Sequence, residues 1–218
     1  MSEAADDLIR RLAADAAPVR RLAPPWRRLL WWALLCAPYV AVTVWIMPQL
    51  PDLPAKLGQM QFAMQQGAAL LTAIAAAYAA FVAVVPGRAR WPLLLPLLPL
   101  AVWLASLGKG CMDEWRLGLT TWYLDLECLP KIIYIGLLPA VVMVIMLQRG
   151  APLLPRISML LGGLAAAALG NFGLRLFHPH DASLMVLVWQ VGSVALLTVI
   201  AGWAGPRLLS WQAKGVSP

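Results

Sequence analysis

The chain has 218 residues, of which 61% are hydrophobic and only 12% charged, with a formal net charge of +7. Soluble domains carry about 25% charged residues, so this composition excludes an ordinary water-soluble fold. The basic excess is spread over short segments as single Arg residues or Arg pairs, which argues against direct nucleic-acid binding and fits the basic loops of a membrane protein.

Residues 1–28 form a mostly polar arm ahead of the first long apolar run, without a clear small-residue cleavage site, and the arm is expected to be retained. Glu3 to Ala16 has helix chemistry: Asp6 and Asp7 suit the first turns, and Asp6 with Arg10 and Asp7 with Arg11 are spaced for i,i+4 pairs. Leu8, Ile9, Leu12 and Ala16 fall on one side and make a narrow apolar stripe that water disfavours, so something should cover it. Pro18 interrupts the pattern. Val19 to Leu22 then leads through Pro24 and Pro25 to Trp26, Arg27 and Arg28 at the membrane boundary. Arg27 and Arg28 are expected on anionic headgroups, each contributing about 1 kcal/mol near the surface. The mix of acids, bases and apolar residues from Asp6 to Leu22 suits a protein groove as well as a lipid surface.

Six apolar runs follow, at Leu29 to Gln49, Phe62 to Val85, Pro92 to Leu107, Ile132 to Leu147, Ile157 to Leu176 and Leu184 to Ala204. The predicted fold is all-α: a polytopic inner-membrane protein with a six-transmembrane-helix bundle over 29–205 and a short helical cytoplasmic arm over 1–28. Twelve of the 17 Lys and Arg residues fall on the side of the termini, which places both termini, including the 206–218 tail, in the cytoplasm. The outer loops then lie near 50–61, 108–131 and 177–183. Pro38, Pro96, Pro99 and Pro139 are expected to kink their spans, and Gly162, Ala166 and Gly170 make a smooth stripe for a neighbouring helix.

Polar residues inside the spans are Gln65, Gln66, Asn171 and Gln190; the absence of an acidic residue near mid-membrane argues against a coupled pump. No Gly-rich phosphate loop, H-E-x-x-H motif or plausible Ser, His and Asp set is present, so neither an enzyme nor a bound cofactor is expected. Of the 3 cysteines, Cys36 lies in the first span as a small apolar filler. Cys111 and Cys128 bracket the second outer loop, between spans three and four, where disulfides persist. A crosslink between them would close a loop of roughly 18 residues and stabilise by about 3 kcal/mol at most. The alternative is a sensing pair, whose redox or metal state moves span three against span four. In the last outer loop His178, His180 and Asp181 could ligate a metal, or could cap the next helix. Trp115, Trp122 and Tyr123 suit interface anchors.

The chain resembles the NrsF family of membrane anti-sigma factors, negative regulators of extracytoplasmic-function (ECF) sigma factors in Gram-negative bacteria. The likeness rests on Asp7-Leu-Ile-Arg-Arg-Leu-Ala-Ala-Asp-Ala-Ala-Pro-Val-Arg-Arg-Leu22, Pro86-Gly-Arg88, Trp103-Leu-Ala-Ser-Leu-Gly108 before Cys111, Arg149-Gly-Ala-Pro152, Gly162-Gly-Leu-Ala-Ala-Ala167, and Leu176-Phe-His-Pro179 with Asp181-Ala-Ser183. The resemblance implies that the arm holds a sigma factor inactive, through Asp7, Leu8, Ile9, Arg10, Arg11, Leu12, Asp15, Val19, Arg20, Arg21 and Leu22. It also implies that Cys111 and Cys128 take part in perceiving metal or oxidative stress, with heavy metal bound at most transiently. The implied partners are an ECF sigma factor and the lipid bilayer. Two rival readings remain: a small-molecule or metal transporter, weakened by the lack of intramembrane charge, and a membrane thiol oxidoreductase, weakened because the thiols do not form a C-x-x-C pair.

Overall fold

The computed structural model describes residues 3–14, 22–47, 53–116, 128–150, 153–177 and 191–209, and among these all regular structure is helical. The helices are α1 (Glu3–Ala14), α2 (Pro25–Ile46), α3 (Leu53–Leu57), α4 (Met60–Ala83), α5 (Leu97–Arg116), α6 (Cys128–Gln148), α7 (Pro155–Leu174) and α8 (Gly192–Leu208), with a 3-10 turn at Trp91–Leu94 ahead of α5. Five stretches among the described residues are long and apolar enough to cross a membrane: α2, α4, the Trp91–Lys109 run, Pro130–Gln148 and α7. The sixth expected span is represented by the 17 residues of α8, and its predicted beginning at Leu184 lies outside the described residues.

The sequence places the helix ends through proline. Pro25 occupies the first turn of α2 and Pro155 the first position of α7, where an N–H would have no helical partner anyway. The third span departs from expectation for the same reason. Pro96 immediately precedes α5 and Pro99 falls in its first turn, so within the Trp91–Lys109 stretch both stand where the 3-10 turn gives way to the α-helix. Pro38 and Pro139 do lie inside continuous helices. At its far end α5 runs past the apolar limit near Lys109 to Arg116, because the polar stretch from Gly108 contains no proline to stop it.

α7 is the central helix, with 78% of its apolar window buried, and α4 follows with 61%, whereas α2 is buried over only 22% of its window. Side-chain size explains this order. α4 buries Ala68, Ala69, Ala73, Ala76, Ala77, Ala79 and Ala80, and α7 buries Ala165 to Ala168, so neighbouring backbones come close on several sides. The expected small-residue stripe packs on α6: a Cβ at Gly170 would stand 2.8 Å from the Ile132 carbonyl oxygen. Gly163 faces the other neighbour, and its Cβ would meet Ala201 of α8 at 2.5 Å. By contrast α2 turns Leu30, Trp31, Leu34, Leu35, Trp45 and Ile46 outward, an apolar surface suited to hydrocarbon and not to water.

A few polar contacts join the outer helices to the core. The Trp32 indole donates to the Pro139 carbonyl at 3.0 Å, the Tyr39 hydroxyl to the Tyr134 carbonyl at 2.6 Å, and the Gln148 amide to the Leu208 carbonyl at 3.0 Å. Thr43, Thr72, Ser158 and Thr198 each donate to a carbonyl four residues back, which satisfies these four hydroxyls locally.

Candidate functional site

The arm forms the helix its sequence calls for. In α1 the Asp7 and Arg11 side chains pair at 2.8 Å, both largely exposed, whereas the second predicted pair, Asp6 with Arg10, is not formed. An exposed i,i+4 pair of this kind steadies a helix by only a few tenths of a kcal/mol. Leu8 and Ile9 are each 58% exposed and Leu12 is 63% exposed, so the apolar stripe lies open. Arg10 is exposed beside it, and Leu22, where the described chain resumes, is exposed as well. Asp15, Val19, Arg20 and Arg21 lie outside the described residues.

Of the two thiols expected on the outer side, Cys111 is half-buried within the last turns of α5, and Cys128 is the first residue of α6. Both positions are helical, so the pair stands at two helix ends with residues 117–127 between them. The Cys128 side chain, His178, His180 and Asp181 lie outside the described residues. Among the described residues no group of three metal-ligating side chains occurs.

Two arginines hold places that sequence reasoning missed. Arg28, expected on headgroups beside Arg27, is instead only 4% exposed. Its guanidinium donates from Nη2 to the Met146 carbonyl and lies 4.6 Å over the Phe81 ring, while Arg27 stacks over Trp26 at 5.1 Å. The distinguishing signal was periodicity: Arg28 shares the four-residue stripe of Trp32, Cys36 and Val40, all buried, and Arg27 does not. At the opposite end of the bundle Arg175, near the end of the predicted Ile157 to Leu176 run, is also 4% exposed. It donates to Gln65 Oε1 at 2.9 Å and lies 5.1 Å from the Phe62 ring centre. Gln66 donates to the Phe172 carbonyl at 3.1 Å, and Asn171, one turn before Arg175, is fully buried. Gln65, Gln66 and Asn171, noted inside the spans, therefore gather around Arg175, and Gln190 lies outside the described residues.

The family model described as NrsF, negative regulator of sigma F, matches residues 12–211. The matched stretch includes Leu12 and the whole bundle and begins just after Asp7 to Arg11. No curated protein and no solved structure matches the chain.

Proposed function

The chain belongs to the NrsF family of negative regulators of sigma F, and from that premise we propose that it is a membrane-embedded anti-sigma factor whose amino-terminal arm sequesters an ECF sigma factor. The bundle crosses the inner membrane six times, with arm and tail in the cytoplasm, so that the bound sigma factor is held away from RNA polymerase. The observation that carries the reading is the open stripe of α1. Leu8, Ile9 and Leu12 are more than half exposed on a helix too short to be stable alone, and docking in a partner's groove would cover them while Arg10 and Arg11 meet charges at the rim. The protein acts by binding and not by catalysis.

The signal side is assigned to Cys111 and Cys128. Each sits at the end of a helix whose other end lies at the arm side of the bundle, so a disulfide or a shared metal between them would change how α5 and α6 approach. His178, His180 and Asp181 are a further metal-ligand set for the same face. Release of the sigma factor follows the rearrangement.

The test of sequestration is Leu8→Asp with Leu12→Asp in the full-length protein. Binding of the cognate sigma factor should be lost and sigma-dependent transcription should rise, at unchanged membrane abundance; transcription held at the repressed level would overturn the assignment. For sensing, the Cys111→Ser, Cys128→Ser double variant should insert and repress normally yet fail to respond to oxidant or a thiol-binding metal. Normal induction would remove the thiols and leave the histidine set.

A further inference from the structure

The arm end of the bundle holds a cavity of about 1050 Å³ between α2 and α6. Its charged lining consists of Arg28 and Arg149, its apolar wall includes Trp31, Leu35 and Ile145, and Leu22 stands on its rim. Arg28 is the buried member. Nη2 is engaged by the Met146 carbonyl and the ring face by Phe81, but Nη1, fully enclosed, has no hydrogen-bond partner. No carboxylate pairs with either arginine among the described residues, where Asp7 with Arg11 is the ion pair that forms.

Two cations sharing one cavity at the edge of a low-dielectric medium repel, and desolvation raises the cost for the buried one. An anion between them reverses the sign of that interaction. Phosphate oxygens match the planar donor fork of a guanidinium better than a point charge does. The rest of the lining narrows the choice. Trp31, Leu35 and Ile145 continue from the arginines along the outward faces of α2 and α6 and are exposed, which a small inorganic anion would leave bare and an acyl chain would cover.

We propose that this cavity binds an anionic phospholipid, with the headgroup phosphate between Arg28 and Arg149 and an acyl chain against Trp31, Leu35 and Ile145. The inference rests on membrane insertion of α2 and α6 and is independent of which protein the arm holds. Because Leu22 forms the rim, the bound lipid touches the root of the arm.

The experiment is native mass spectrometry of the full-length protein in detergent, titrated with phosphatidylglycerol or phosphatidylcholine. The intact protein should retain phosphatidylglycerol about tenfold better, a difference of about 1.4 kcal/mol. Arg149→Gln, at an exposed position where folding is safe, should remove most of that preference, and Arg149→Lys should restore part of it. Arg88→Gln serves as the control, since Arg88 is exposed at the same end of the bundle but absent from the lining. Equal retention of the two lipids, or an equal loss in the Arg88 and Arg149 variants, would overturn the proposal. Displacement of phosphatidylglycerol by excess inorganic phosphate would overturn the lipid assignment in favour of a free anion.

Discussion

Arg28 and Arg175 are buried to the same degree at opposite ends of α4, each against a phenylalanine of that helix, Phe81 in one case and Phe62 in the other. They differ in what completes them. Arg175 meets a side-chain oxygen, Gln65 Oε1, in a setting shared with Gln66 and Asn171. Arg28 meets one main-chain carbonyl and lines a cavity that holds a second arginine. Burial of a cation in a membrane bundle therefore has two meanings: one closes a helix end against its neighbours, and the other sets the charge beside a second cation at an open cavity.

The contrast is tested most severely by Arg175→Leu, which leaves the Gln65 oxygen facing an apolar side chain. A loss on the order of 2–4 kcal/mol is expected, with reduced membrane abundance and a lowered thermal transition in detergent. A loss below about 1 kcal/mol would mean that Arg175 does not close the far end. Gly170→Val probes the same end through packing alone, since its Cβ must enter the space before the Ile132 carbonyl. About 1–3 kcal/mol should be lost, read by the same thermal transition. At the arm end, Arg28→Lys keeps the charge but gives up the planar stack on Phe81, and should cost about 1 kcal/mol. If Arg28→Lys were as damaging as Arg175→Leu, the two ends would be equivalent and the comparison would fail. Smallest of all, Leu8→Asp with Leu12→Asp should shift the bundle's thermal transition by no more than about 0.5 kcal/mol, because both side chains are exposed in the unbound chain.

Much of the scaffold was legible because successive long apolar runs separated by short polar segments have few alternatives to membrane spans. The five membrane-length helices lie where the runs are, and the arm helix and its open stripe follow from local charge spacing and periodicity. The ends were less legible. Hydropathy marks where a helix leaves hydrocarbon, whereas hydrogen bonding marks where it stops, and α5 separates the two by continuing to Arg116. A proline is disruptive within a helix and harmless in its first turn, and the run alone does not say that α5 begins only at Leu97, between Pro96 and Pro99. The arginines were misplaced for a related reason: a charge at the edge of an apolar run is ordinarily solvated, and only its register with Trp32 and Cys36, or its position one turn after Asn171, reveals burial. For the thiol pair, the sequence shows two positions near helix ends, and the bond or metal between them depends on side-chain geometry that spacing does not encode.

An uncovered Leu8, Ile9 and Leu12 surface also bears on dosage in the cell. A helix that offers such a stripe to water will accept the groove of any protein that presents one, including proteases and chaperones that survey the membrane surface. Chains made in excess over their partner are thus expected to be cleared, and chains that are occupied to persist. With the arm holding its sigma factor as proposed, supply of that partner would set the standing amount of its own inhibitor, and the two proteins would titrate one another without a separate controller.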